Sequence, residues 1–301
     1  MQRRRQPSSA GAAALVLEKR DTGPTTAPDG RGVLRSALAS GAFAVTRHTP
    51  AADLAPFVER YWVVRWSLPS GVRHVQDTLA YPCIDLVFER GNARVWGVIP
   101  GRFRRRFAGR GCVFGVKFKP GGLFPFWGTS VACLTGRTLA GGRVFRSLVG
   151  TSGRQFTQAL LEEESEERQV DTVEAALRRC LPALDPDADR AARCVSLVLH
   201  DRSFTRVDAL SKHLGVSTRT LERSFRRYVG VSPKWVLRRF RLMEAAAQVD
   251  AGFDVDWAAL ASALGYCDQA HLINDFRQHV GVSPARYAKE TRQSTTRRPE
   301  E

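Results

Sequence analysis

Between residues 207 and 290 the apolar positions fall at helical spacing, and they do so twice. Val207, Leu210 and Leu214 recur at i, i+3 and i+7, which makes one apolar stripe on one helix. Gly215 ends that helix by accepting the left-handed conformation a short turn requires. Ser217 caps a second helix whose Leu221, Phe225 and Val229 face back onto the first, and Ser232-Pro233 stops it and opens the next. The same grammar returns with Trp257, Leu260 and Leu264, then Leu272, Ile273, Phe276 and Val280; Cys267 or Asp268 is the cap and Ser283-Pro284 the close. Leu214-Gly215 matches Leu264-Gly265 at an offset of 50, whereas Val229 to Pro233 matches Val280 to Pro284 at 51, so the second turn carries one extra residue. The pattern predicts two helix-turn-helix units joined by a helix over about 233–249, an all-α domain spanning 187–290.

Upstream the period changes. Tyr61 to Leu68, Ile84 to Phe88, Ala93 to Ile99 and Val113 to Phe118 are short runs rich in Val, Ile and aromatics, broken by Gly and Pro, and read as strands of a sandwich or small barrel. Arg90-Gly91-Asn92 predicts a hairpin turn between two of them. Phe156, Leu160 and Leu161, then Val170, Val173, Leu177 and Leu181, are spaced for amphipathic helices, interrupted by the acidic block Glu162 to Glu167. Two arrangements suit these helices: against a second subunit, as in a homodimer, or against their own barrel. Break signals in 181–189 place a boundary there, giving a β-rich sensor domain with trailing helices over 41–182. Residues 1–40, rich in Ala, Gly, Pro, Ser, Thr and Arg, read as a disordered basic tail, and 291–301 as a second tail. Arg3 to Arg5 followed by Ala10 to Leu17 imitates a secretory signal, but the apolar run is short and charged residues follow with no cleavage site, so a cytoplasmic protein is expected.

Formal net charge is +16, which favours a polyanionic partner. Between Arg219 and Arg241 there are eight basic residues, Arg219, Arg223, Arg226, Arg227, Lys234, Arg238, Arg239 and Arg241, against the single acid Glu222. A helix of about twelve residues is roughly 18 Å long and a B-DNA major groove about 12 Å wide, so one polar helix face fits along base edges of double-stranded DNA. No segment approaches the apolar length of a membrane span. The six cysteines show neither CxxC spacing nor a disulfide ladder and read as reduced, mostly buried thiols. His48 and His74 are the only histidines before residue 200 and lie far apart, and there is no GxSxG elbow, P-loop or GxGxxG. No metal, cofactor or enzymatic activity is expected.

The tandem arrangement, the GVSP after each recognition helix, and the run Leu272 to Tyr287 in the form LIxDFRxxxGxSPxxY resemble the DNA-binding domain of AraC/XylS-type transcription regulators. That resemblance implies a homeodomain-like, bacterial DNA reader in which one chain addresses two successive major grooves, acting as an activator with RNA polymerase as a partner. Position by position it implies Arg219, Glu222 and Arg223 as base readers in the first unit, and Gln269, Ala270, His271 and Asn274 in the second. The chemistry agrees in part: Arg suits guanine O6 and N7, Glu accepts from cytosine N4, and Gln or Asn reads adenine. Arg226, Arg227, Lys234, Arg238, Arg239 and Arg277 lie at helix ends or flanks, where phosphate contacts are expected. Asp268 and Asp275 flank the second helix and weaken its electrostatic case. The resemblance further implies a cupin-like amino-terminal barrel sensing a small-molecule effector; CIDLVFERG, GVKFKPGG and LFPFWG are similar to the sensor half of one subgroup. The expected fold is α+β in two domains, with a β-rich cupin-like barrel, interdomain helices and the tandem helix-turn-helix.

Candidates for lining a ligand pocket, by residue type, are Trp62, Trp66, Asp85, Trp96, Lys117 and Trp127. Arg102 to Arg106 read as a solvated loop, with attraction of an acidic ligand or DNA phosphate as the other reading. Two rival functions stay open at this stage: an enzyme delivered to DNA by the helices, and an architectural binder blind to sequence.

Overall fold

The computed structural model describes residues 33–34, 42–143, 153–251 and 255–296. Two antiparallel sheets form the amino-terminal part. The first holds β1 (Val33–Leu34), β4 (Arg73–Leu79) and β7 (Arg102–Ala108) in the order β1-β4-β7. The second runs β2-β3-β8-β5-β6-β9, built from Phe43–His48, Val58–Ser67, Arg110–Phe118, Asp85–Glu89, Asn92–Trp96 and Thr138–Ala140 in that order. All four predicted strands are present. The expected hairpin joins β5 to β6, with Arg90 and Gly91 both at positive φ, as a two-residue turn opposite the Glu89 and Asn92 pair demands. The Arg102–Arg106 cluster is β7, not a loop. Its alternation puts Phe103, Arg105 and Phe107 on the inner face, while Arg102 and Arg104 turn outward and share Asp77.

Period-two alternation also divides the six-stranded sheet. Trp62, Val64, Val113 and Lys117 face the smaller sheet across a cavity. Tyr61, Val63, Leu86, Phe88, Phe114 and Val116 face the other way, onto Leu160 of α1 (Gly153–Glu162) and Val173 and Leu177 of α2 (Glu166–Arg178). The amphipathic helices therefore close onto their own sheet. Thr46, His48 and Arg65 of that face all reach Glu166, the first residue of α2.

The helical part comprises α3 (Pro186–His200), α4 (Val207–His213), α5 (Thr218–Ser224), α6 (Pro233–Asp250), α7 (Trp257–Ala263), α8 (Gln269–Val280) and α9 (Pro284–Thr296). Two differences at the expected tails are small: Val33–Leu34 pairs with β4, and α9 continues to Thr296. The rest of the 1–40 stretch and residues 297–301 lie outside the described residues. The expected boundary segment is non-helical up to Asp185, which caps α3 through Asp187 and Ala188 amides. One apolar core nevertheless runs across it, from Phe88 and Phe114 through Leu177 and Val195 to Leu221 and Phe225; a second core centres on Leu272, Phe276 and Tyr287 and takes in Leu34 and Leu79 of the small sheet.

Candidate nucleic-acid interface and amino-terminal cavity

Both helix-turn-helix units form as their punctuation predicts. Gly215 and Gly265 turn with φ +65° and +70°. Ser217 accepts the Thr220 amide at 3.1 Å, and Asp268, rather than Cys267, accepts the His271 amide at 2.7 Å, so each recognition helix starts from a side-chain cap. The first continues from α5 as a wider π turn over Phe225–Val229 and ends at Gly230 with φ +94°; α8 ends at Gly281 with φ +90°. Leu221 and Phe225, and Leu272 and Phe276, are buried against the rest of each unit.

The opposite faces are open. Arg219, Arg223, Arg226, Arg227 and Lys234 are exposed around the first unit and Glu222 is half-buried; Gln269, Ala270, His271, Asn274 and Arg277 are exposed on the second. Arg277 donates to Asn274 Oδ1 at 3.0 Å, holding two of these side chains together, and the His271 ring meets Tyr266 edge-on at 5.1 Å.

Two arginines expected on phosphate are bonded to protein groups instead. Arg238 forms a bidentate ion pair with Asp275, which is only 5% exposed and also accepts the Tyr266 hydroxyl at 3.3 Å. Asp275 is thus the bond between the linker helix α6 and the second recognition helix. Arg239 is 1% exposed; it donates to the Pro100 and Gly101 carbonyls and lies 4.6 Å over the Trp235 ring. Burial, with Arg238 adding repulsion, pulls its pKa down to about 10. Arg241 also turns in, onto the Thr205 carbonyl. Side-chain direction on a linker helix packed on two sides was not readable from a basic run, so the eight-residue footprint shrinks to five exposed cations.

Between the two sheets lies a cavity of about 340 Å³. Of the six residues picked by type, it gathers Trp62, Asp85, Trp96 and Lys117. Trp66 packs instead with Val87, Phe107 and Val113 and donates to the Ala108 carbonyl, and Trp127 belongs to the core beside the helices. Most of the lining is apolar, including Phe43, Val45, Val64, Val87, Ile99, Phe103 and Phe107. At one end Trp62 Nε1 donates to Asp85 at 3.2 Å, Lys117 Nζ pairs with Glu59 at 3.0 Å, and the same ammonium lies 4.1 Å over Tyr81. Burial pushes the Asp85 carboxyl up, against the pull of Lys117 and Trp62. Burial also works against the Lys117 charge, but Cys83, Glu59 and Asp85 around it hold its pKa above the ordinary value. Trp96 Nε1 and His74 Nε2, both on the cavity lining, are buried without a hydrogen-bond partner among the described residues. The sequence pattern did not single out Tyr81, showed His74 only as a lone histidine, and put Arg105 in a loop, because β4 and β7 had no strand signal of their own.

All six cysteines are free; Cys83 and Cys194 are buried, Cys112 and Cys180 half-buried, and Cys133 and Cys267 exposed, so burial is less general than their type predicts. Among the described residues no group of three or more His, Cys, Asp or Glu is placed to hold a metal ion, and no helix is long and apolar enough to cross a membrane.

Residues 210–290 match a helix-turn-helix domain family, and residues 46–140 match a domain of unknown function (DUF6597). No curated protein matches. Among solved structures, the chain is similar to the carboxy-terminal domain of AraT, a response regulator from Geobacillus stearothermophilus, at 23% identity and TM-score 0.32 over 36% of this chain and 87% of that one. It is similar to ToxT from Vibrio cholerae at 11% identity and TM-score 0.36, over 83% and 98%. The AraC-like transcriptional activator CuxR is a third, at 16% identity and TM-score 0.21, over 69% and 88%.

Proposed function

We propose that this chain, whose residues 210–290 match a helix-turn-helix domain family, is a DNA-binding transcription regulator of the AraC type, that one copy reads two successive major grooves with α5 and α8, and that a ligand in the cavity modulates that reading. The observation that carries the first part is the pair of capped, outward-facing recognition helices joined by α6. Its 18 residues span roughly 27 Å, which with the widths of the two units approaches the 34 Å DNA turn. Arg219, Glu222 and Arg223 face one set of base edges and Gln269, Ala270, His271 and Asn274 the next. Arg226, Arg227, Lys234 and Arg277 are the phosphate contacts; Arg238 and Arg239, tied to protein groups, are left out of that set. By the family resemblance the protein works in the cytoplasm as an activator that engages RNA polymerase.

The ligand part rests on the cavity. Its mostly apolar wall suits a mostly apolar molecule, and the Trp96 N–H, a buried donor with no acceptor among the described residues, calls for an acceptor on the ligand at that end. Tyr81 lines the cavity and its ring meets that of Phe240 of α6 at 5.6 Å with the planes tilted by 59°, so occupancy is felt at the linker helix.

The test is selection of bound sequences from a random DNA pool at about 150 mM salt, where sequence-blind phosphate binding is weakened. Wild type is expected to select two blocks about 10 base pairs apart. Arg223→Ala should relax one block and Gln269→Ala the other, each costing about 1–3 kcal/mol at its own position. Binding without sequence preference would overturn the proposal.

A further inference from the structure

The amino-terminal domain grips the helical domain at two equivalent places. Gly230 and Gly281 are the same position in the two repeats, the left-handed glycine that ends each recognition helix. At the first, Thr135 Oγ1 donates to the Gly230 carbonyl at 2.6 Å, and Ser130 reaches the Arg226 carbonyl one turn earlier. At the second, Arg102 Nη1 donates to the Val280 carbonyl at 2.7 Å. A Cβ on Gly230 would stand 3.0 Å from Thr135 Oγ1, and one on Gly281 would stand 2.5 Å from Arg102 Nη1. Side chains of the sensor domain thus press directly on both helix ends, where unpaired carbonyls await donors.

Between these points the same domain holds the linker. Pro100 accepts from Trp235 Nε1 and from Arg239, and Gly101 accepts from Arg239 as well. Among the described residues Arg239 has no other hydrogen-bond acceptor and one of its terminal nitrogens has no partner, so this buried charge leans on the turn at 100–101. Arg102 is held in turn by Asp77 at 3.2 Å, which places the second grip on a paired strand rather than on a free side chain.

From this we infer that the sensor domain is a spacer: Thr135 and Arg102, through the two equivalent helix ends, set the distance and rotation between the recognition helices and hence which spacing of half-sites the protein accepts. The inference rests on the two-groove reading proposed above. The linker helix already packs on each unit, and Arg238 with Asp275 ties it to α8; a third body bonded to both ends removes the bending and twisting of α6 that remain. Each base pair inserted between half-sites moves the second groove by about 3.4 Å and turns it by roughly one tenth of a helical turn. A clamped pair cannot follow that change, whereas an unclamped pair can.

The experiment uses the full chain and duplexes carrying the selected site with one or two base pairs added or removed between its blocks. Wild type is expected to lose about tenfold in affinity or more for two base pairs, on the scale of a mismatched contact. Thr135→Val and Arg102→Ala together should lose less than about threefold for the same change, with affinity for the parent spacing little altered. Thr135→Val alone, which keeps the shape of the side chain, should give an intermediate profile and guards against a folding defect in the double variant; a cooperative melt for each checks that directly. A double variant that melts cooperatively and keeps the wild-type spacing profile overturns the clamp and leaves the two-groove reading standing. A wild type that selects no two-block site overturns that reading and the clamp with it.

Discussion

Glu166 shows what a single side chain does at a seam. It caps nothing in its own helix; it leaves α2 to meet Thr46, His48 at 2.9 Å and Arg65 at 3.4 Å on the sheet. Burial raises its pKa, but the three donors outweigh burial and hold it below the ordinary 4.5. A depressed carboxylate contributes stability above its unfolded pKa, and the contribution is lost as pH falls through the folded value. Glu166→Gln should therefore cost about 1–3 kcal/mol near neutral pH, the range for hydrogen bonds to a charged group, and the deficit should shrink toward zero as the solution is acidified below 4.5. Urea denaturation of both proteins across that range checks it, and a deficit that grows on acidification would contradict the assignment. The pairing was not legible in the chain, because 118 residues separate His48 from Glu166 and the acidic block gives no sign of which member turns inward.

At the scale of elements, the recognition helices differ in how they are made. The first carries Arg219, Arg223, Arg226 and Arg227 around one exposed flank, and the second presents uncharged Gln269, Ala270 and Asn274 with Arg277 behind them. Affinity should sit largely on the first, and base discrimination on both. Arg226→Ala, which removes one of the proposed phosphate contacts, should weaken binding to all sequences alike and reduce the salt slope by about 1, as a titration of binding against salt concentration would show. Ser217→Ala and Asp268→Ala, which remove the two caps, should each cost about 1 kcal/mol of stability by thermal or urea unfolding. Their equal effect would reflect equal geometry despite unequal charge.

For the whole molecule, the cavity and the DNA surface share one stretch of chain. Gly97, Ile99 and Phe103 line the cavity, and Pro100 to Arg102 between them hold α6 and the end of α8. Filling the cavity is then a way to separate ligand from fold. Val113→Phe, at a buried position on its wall, should reduce uptake of anilinonaphthalene sulfonate, an apolar dye with an acceptor group, while leaving binding to the selected DNA site within about threefold. Equal dye fluorescence in both proteins would show that the dye enters elsewhere.

The sequence by itself determined the elements whose signals are local. Apolar spacing, four glycines and a handful of caps are read within one helix and its turn, so the tandem units, their offset and their exposed polar faces follow without tertiary information. Strands with apolar runs were legible for the same reason, and β7 was not, because Arg105 on its inner face interrupts the alternation of Phe103 and Phe107. Tertiary structure alone decided what long-range contact decides. It tied Arg238 and Arg239 to protein groups, gave Asp275 its partner, and brought Trp62, Asp85, Trp96 and Lys117 to one cavity while leaving Trp66 and Trp127 in packed cores. The physical reason is range: a helix stripe is set by neighbours three and four residues away, whereas the direction of a long polar side chain is set by whatever element the fold brings against it.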